Sequence, residues 1–447
     1  MRFIPGQIPA LRLGVSYALE NYGITDLAFI DVELPNKEQY GIKNLLVKVA
    51  GREVAPIELS SASQGEEPIQ FRIPFDPVWN QKQRRDLSVE YGLAPTEDSG
   101  GSVAVSSSSF HIVSRGWVPS PRPPTHALSP FPASPERINY TVQVPSDFLL
   151  LAPGKPNGRM KDGAEVKYRF ELRRSDPALF VVAGRYADSC SNRRSCEVDF
   201  WTFEPITTSL ASAEEQLASA WNILQKNFGP LEKSNLVPHI VESTVSVRIG
   251  DDAPSVAPFF GGVLVNAKAV SLGVNSDGFL DLVTRALAGN WFGVQIYSPI
   301  ANVGMTEGLS DYAVIVVDET RHGGSARSVR ISKSLREYDD ACKEAIEQPL
   351  IAITEHDSVE QRRIALAKAP LFFIALEDAY GEQPVRRALA QVVSLLRGQA
   401  VRYQDIRAAL ENVTNKDLAP VFRTWLYEPG IPAEFREKYR NVEVGNK

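Results

Sequence analysis

The chain has 447 residues, 43% of them hydrophobic and 23% charged, and a net charge of −6. That length holds a large core and more than one domain, and the acidic balance without a basic stripe argues against a nucleic-acid partner. No clean apolar run of eighteen residues exists, so no membrane span is read in this chain. The nearest run, Ala257 to Val274, is broken by Gly261, Gly262, Asn266 and Lys268 and reads as buried strands. The opening MRFIPGQIPALRLG lacks a basic segment followed by an apolar core, so it does not read as a secretory signal.

In chain order, residues 1–205 read as an all-β domain. LAFIDVELP, NLLVKVAG, YTVQVP, KYRFELRR and ALFVVAG alternate apolar with polar residues between Gly, Pro, Asn and Ser. The expectation is an antiparallel β-sandwich or saddle. The Ser/Gly tract at 98–110 reads as a mobile loop, and the proline-rich segment at 118–137 as an extended surface run. Cys190 and Cys196 bracket CSNRRSC between two strand-like runs, and close a disulfide in an oxidising compartment. That pairing leans the localisation towards the extracytoplasmic side; the competing reading is two reduced thiols at a hairpin end. A metal at this pair is disfavoured because no histidine lies nearby in sequence. Cys342 reads as a packed thiol.

Residues 206–447 read as a mixed, mainly helical domain. Ser212 with Glu215 suggests a capping box for a helix running to about Phe228. NLVPHIVESTVSVRI and FFGGVLVNAKAVSL read as strands. From Asp277 onward helices dominate, with Leu280, Val283, Leu287 and Trp291 on one face of the first long one. Later helices are expected over 357–380, 382–397, 403–412 and 416–427, with Gly381 and Gly398 as C-caps. No nucleophile elbow, phosphate loop or dinucleotide fingerprint is present.

Two stretches carry a resemblance. Arg285-Ala286-Leu287-Ala288-Gly289 is followed by Asn290-Trp291-Phe292-Gly293, and then by Thr306-Glu307-Gly308-Leu309-Ser310-Asp311-Tyr312. The pair resembles the aminopeptidase N family of zinc peptidases, with its HExxH, Q-W-F-G and N-E-G-F-A-x-Y. WFG and EGxxxY match. Arg285 stands at the first histidine, Ala286 at the glutamate, Gly289 at the second histidine, and only Glu307 survives, as the third ligand. Gly262-Val263-Leu264-Val265-Asn266 corresponds to the family's G-A-M-E-N, with Val265 where a glutamate grips the substrate amine. Leu366-Ala367-Lys368-Ala369 corresponds to Y-x-K-G, with Leu366 replacing the tyrosine that supports the oxyanion. GWVP at 116–119 and DLAPVFRTWLYEPGIP at 417–432 add to a likeness that spans nearly the whole chain.

The resemblance implies an N-terminal β domain and a thermolysin-like α/β domain, an α+β architecture with a substrate cleft between domains. Gly261, Gly262, Val265, Asn266 and Trp291 are its candidate lining, with peptide adding along an edge strand at 261–272. One carboxylate does not hold a catalytic zinc, which needs three protein ligands and an open position. Without a glutamate at 286 no base stands beside the water, and loss of the oxyanion donor removes a further factor of about 10²–10³. The five histidines, His111, His126, His239, His322 and His356, are scattered and offer no substitute metal site. The expected protein is a pseudo-peptidase without catalytic residues, metal or cofactor, which binds a peptide or protein in the cleft or serves as a structural module. The alternatives are an active hydrolase with unconventional residues, or the extracytoplasmic domain of a larger membrane protein. Charge complementarity further predicts that Arg285 pairs with Glu307 in place of the ion.

Overall fold

The structure is a computed structural model. It describes residues 1–4, 10–21, 25–34, 41–59, 69–94, 103–113, 120–122, 137–173, 180–191, 196–231, 236–243, 255–298, 302–354 and 357–440. GWVP at 116–119, His126, His356 and most of the proline-rich segment lie outside these residues, as does the middle of CSNRRSC. The chain divides into two compact units, Met1–Ala187 with Ser243–Ser255, and Asp188–Glu242 with Val256–Lys447.

The first unit is built of β-strands: β1 (Arg2–Ile4), β2 (Ala10–Glu20), β3 (Leu27–Leu34), β4 (Lys43–Val49), β5 (Arg52–Val54), β6 (Ile57–Leu59), β7 (Ile69–Trp79) and β8 (Arg84–Leu93). They continue as β9 (Val103–Val105), β10 (Ser109–Ile112), β11 (Ser120–Arg122), β12 (Arg137–Pro145), β13 (Leu149–Leu151), β14 (Lys155–Asp162), β15 (Glu165–Arg173) and β16 (Val181–Gly184). An eight-stranded sheet runs β14-β15-β12-β1-β2-β8-β4-β5, and two four-stranded sheets run β13-β16-β10-β9 and β11-β3-β7-β6. Strand alternation sets the core face: Leu87, Val89, Tyr91 and Leu93 on β8 are buried while the residues between them are not. These side chains share one apolar cluster with Leu11 and Leu13 of β2, Ile30 and Val32 of β3, Phe110 of β10 and Val181 of β16. The expected sandwich is therefore three sheets around a single core. Ser120–Arg122, inside the proline-rich segment, pairs antiparallel with β3.

The second unit has one sheet and a helical body. Its sheet runs β17-β18-β19-β21-β20, with β17 (Ala187–Asp188), β18 (Asp199–Thr202), β19 (His239–Ser243), β20 (Val256–Phe259) and β21 (Gly262–Asn266). Because β18 joins this sheet, residues 188–205 pack with the second unit rather than with the β domain they follow in sequence. The helices are α1 (Ala211–Phe228), α2 (Ala267–Ser271), α3 (Asp277–Ala288), α4 (Val303–His322), α5 (Gly324–Glu344), α6 (Val359–Tyr380), α7 (Glu382–Leu395), α8 (Tyr403–Thr414), α9 (Ala419–Leu426) and α10 (Ala433–Lys438). No helix among the described residues is long and apolar enough to cross a membrane.

Four local expectations are corrected. Within the tract expected as a mobile loop, residues 103–105 and 109–110 belong to paired strands β9 and β10 that pack into the core. The Ser212–Glu215 box is not formed; the free amide of Ala213 is capped instead by Asn275 Oδ1 at 3.1 Å, from a loop 62 residues away. The apolar run after β21 turns into α2 rather than continuing as strand, because Asn266 Oδ1 accepts from Ala269 N at 2.8 Å and starts a helix. Gly381 closes α6 with φ +91°, as expected, but α7 stops at Leu395, so Gly398 sits beyond its cap, donating to Gln295 O at 2.7 Å.

Candidate functional site

The frame begins at Ser276, whose hydroxyl accepts from Phe279 N at 3.2 Å and caps α3. The face at Leu280, Val283, Leu287 and Trp291 is buried throughout, as its spacing predicts. Past α3 the backbone widens into a π-helical turn over Asn290–Gln295. This turn is tied to the sheet: Asn290 Oδ1 accepts from Gly261 N at 2.8 Å, and its amide donates to Gly262 O at 3.2 Å. Trp291 donates to Gly229 O at 2.8 Å and meets Trp221 edge-on. Asn302 then caps α4 through Met305 N at 3.0 Å, while its own amide donates to the carbonyls of Leu350, Ile351 and Ile353.

On this frame Arg285, near the end of α3, reaches across to α4. The opposite charge it meets is Asp311, with Nε 2.5 Å from Oδ1, and not Glu307 as expected. Glu307 lies one turn earlier on the same helix and is half-buried. Burial pushes the Asp311 carboxyl up to about 6; Arg285 opposes that shift, and Glu307, Asp281 and Glu337 add to it. Ala286 is buried and carries no ligand atom. Gly289 has no room for a side chain, because a Cβ there would stand 2.8 Å from Pro258 Cγ and 3.1 Å from Ala286 O. Leu366 of α6 and Arg285 line one cavity of about 310 Å³, together with Asp311, Arg330, Lys333 and Glu337. Two of the degenerate positions, Arg285 and Leu366, are thus brought together.

The five residues expected along a substrate cleft do not line that cavity. Gly261, with φ +79°, makes the tight turn between β20 and β21, which only glycine adopts readily. A Cβ on Gly262 would run into the Phe259 ring and the His239 carbonyl. Val265, Asn266 and Trp291 are buried. The edge strand expected at 261–272 is corrected: β21 lies between β19 and β20, so the edge is β20. That edge is four residues long and contains Pro258, which lacks a donor.

The motif residues that are retained hold the scaffold. Tyr312 donates to Glu377 Oε1 at 2.7 Å. Glu377 is fully buried on α6 and accepts from Arg327 of α5 at 2.5 Å and Arg386 of α7 at 2.7 Å. Arg386 also holds Glu319 of α4 at 2.7 Å. Lys368, wholly buried, bonds Glu347 at 2.6 Å and the Glu428 carbonyl at 2.9 Å, and Glu347 in turn accepts from Gly430 N at 2.5 Å. Sequence reasoning missed Asp311 and this network. Asp311 carried a signal, being one turn from Glu307 on the same helix; Glu377, Arg327 and Arg386 come from three different helices and carried none.

No family model matches the sequence, and no curated protein matches it. Solved structures do. The chain overlays on the M1 zinc metallopeptidase of Deinococcus radiodurans with TM-score 0.65 and 15% identity, covering 97% of this chain and 93% of that one. The fold is that of the M1 aminopeptidases. A mutant of the Deinococcus enzyme, solved with a Tyr-Ser-Ala substrate, matches with TM-score 0.64 and 16% identity, covering 96% and 93%. Native yeast LTA4 hydrolase matches with TM-score 0.68 and 10% identity, covering 97% of this chain and 68% of that one. The zinc that M1 enzymes carry needs three protein ligands and an open position. A guanidinium at 285, a methyl at 286 and a filled space at 289 do not fit it, and Glu307 alone does not make a ligand set.

Proposed function

We propose that this chain is a pseudo-peptidase: an M1-type scaffold that does not hydrolyse peptides and acts as a peptide- or protein-binding or structural module. The observation that carries the reading is Gly289, packed against Pro258 where the second metal-binding histidine would stand. The Arg285–Asp311 ion pair supports it, since it puts a cation where the first ligand would be. The ligand class is inferred from the scaffold, one relative of which holds a tripeptide. The Cys190–Cys196 disulfide, with Cα atoms 5.7 Å apart, supports placement in an oxidising compartment. The test is turnover of aminoacyl-amides by purified protein with and without added zinc, alongside calorimetric titration with tripeptides. Binding without turnover is expected. Chelator-sensitive turnover that disappears in Glu307→Gln overturns the proposal.

A further inference from the structure

A second cluster lies at the far end of the five-stranded sheet, and its chemistry is independent of the peptidase frame. Cys190 follows β17, and its amide donates to Asp188 Oδ1 at 2.7 Å. Cys196 precedes β18, whose first residue is Asp199. The Val198 carbonyl lies 3.6 Å from the Cys190 sulfur and 3.1 Å from that of Cys196. One ligand atom from each of Cys190, Cys196 and Asp199 falls within 4.8 Å of the others. The histidine that the sequence did not offer comes from β19. Parallel pairing of β18 with β19 sets His239 opposite Asp199, with Nδ1 3.2 Å from Oδ2.

Asp199 is the decisive group. Its side chain is 9% exposed. Oδ2 accepts from Trp201 Nε1 at 2.8 Å, while Oδ1 is buried with no hydrogen-bond partner. A buried carboxylate oxygen is costly to leave unpaired. An unpartnered carboxylate oxygen thus stands near two sulfurs, while the other oxygen is held by the Trp201 indole and faces His239 Nδ1 at 3.2 Å. That is how metal-ligating groups are oriented by their neighbours.

We propose that reduction of the Cys190–Cys196 disulfide converts this corner into a zinc site, with Cys190 Sγ, Cys196 Sγ and Asp199 as ligands and His239 positioning Asp199. The reductant is a dithiol. Its thiolate attacks one sulfur and displaces the other, and its second thiol resolves the mixed disulfide. The protein gains two electrons and two protons, and the dithiol becomes a cyclic disulfide. Zinc then displaces both thiol protons, and the sulfurs move apart to the roughly 3.8 Å that tetrahedral bonds of about 2.3 Å require. The cyclic disulfide in excess reverses the exchange, taking back the two electrons and two protons, and expels the metal.

The test uses the full chain, reduced by a water-soluble phosphine, which takes up oxygen from water as the disulfide becomes two thiols. Zinc is titrated with a chromophoric competitor, and Co²⁺ reports thiolate ligation through its sulfur-to-metal charge-transfer band. Reduced protein is expected to bind one equivalent and show the band, and oxidised protein to show neither. Cys190→Ser should abolish the band, and Asp199→Asn should weaken binding at least tenfold. His239→Asn should weaken zinc binding about 10–100-fold while leaving two thiolates on cobalt. Circular dichroism confirms that each variant is folded, and should Asp199→Asn fail to fold, the cysteine and histidine variants decide. No band in reduced protein, an undiminished affinity in folded Asp199→Asn, or an equivalent of zinc kept by the Cys190→Ser/Cys196→Ser double variant overturns the proposal.

Discussion

Restoring the family's ligands should not restore a zinc site. The variant is Arg285→His, Ala286→Glu and Gly289→His, which writes HExxH onto α3 and leaves Glu307 as third ligand. The obstacle is steric and can be sized with a single methyl. A Cβ at 289 would lie 2.8 and 3.1 Å from Pro258 Cγ and Cβ, against an optimal carbon separation of about 3.5–4.0 Å. Overpacking of this kind costs about 1–3 kcal/mol. Gly289 has φ −57°, so alanine meets no backbone strain there and recovers about 0.5–1 kcal/mol through propensity. Gly289→Ala should therefore lose about 1 kcal/mol. Gly324→Ala, at the start of α5 with nothing within 4 Å of the new methyl, should lose nothing and gain up to about 1 kcal/mol. An imidazole at 289 must displace Pro258 and with it β20. Urea unfolding measures all three, and zinc content is read in the Cys190→Ser/Cys196→Ser background so that metal at the thiols is not counted. A triple variant with parental stability, one tightly held zinc and aminoacyl-amide turnover would refute the argument.

Other consequences are open to measurement. Glu377→Gln removes a carboxylate from between two arginines and should cost about 3–5 kcal/mol, seen as a lower urea midpoint at unchanged slope. Lys368→Met leaves Glu347 and the Glu428 carbonyl without their cation, and should speed hydrogen exchange at the Gly430 amide, which shares Glu347. Asp311 makes a pH signature. Its folded value of about 6 exceeds the unfolded 3.8, so the folded state holds the proton more tightly. Its contribution is fully present below pH 3.8 and is lost as pH rises through 6, to a total of about 3 kcal/mol. Asp311→Asn should flatten the stability profile over that window, and an unchanged profile would remove Asp311 as its source.

Much of the helical unit was legible because its signals are local. The spacing of Leu280, Val283, Leu287 and Trp291 is one helix face, and burial follows from it. Two of the failures are places where a distant partner wins. Asn275 caps α1 from 62 residues away, so the nearby Ser212 and Glu215 were a plausible wrong answer. The partner of Arg285 was misplaced by one helical turn, since charge complementarity selects a sign and not a rotamer. His239 reaches Asp199 only through strand register, which a sequence does not display. The cap at Asn266 was different: its side chain is adjacent in sequence to the helix it starts, and the apolar run around it hid the signal.

The retained and altered motif residues separate by what they touch. Trp291 holds a backbone carbonyl and a tryptophan ring, Tyr312 holds the buried Glu377, and Lys368 holds Glu347 and Glu428. Replacing Tyr312 or Lys368 takes a partner from a buried carboxylate, at about 1–3 kcal/mol or more, and replacing Trp291 takes one from a part-buried carbonyl. Residues 285 and 366 owe nothing to those partners, since both face a cavity, whereas Gly289 is held to glycine by its close contact with Pro258. In a protein of ordinary marginal stability, changes at the second set are tolerated and changes at the first are not. On the proposed reading the fold outlasts its chemistry because different side chains are responsible for each, and the Glu377 network ties four helices together without any of the ligand positions.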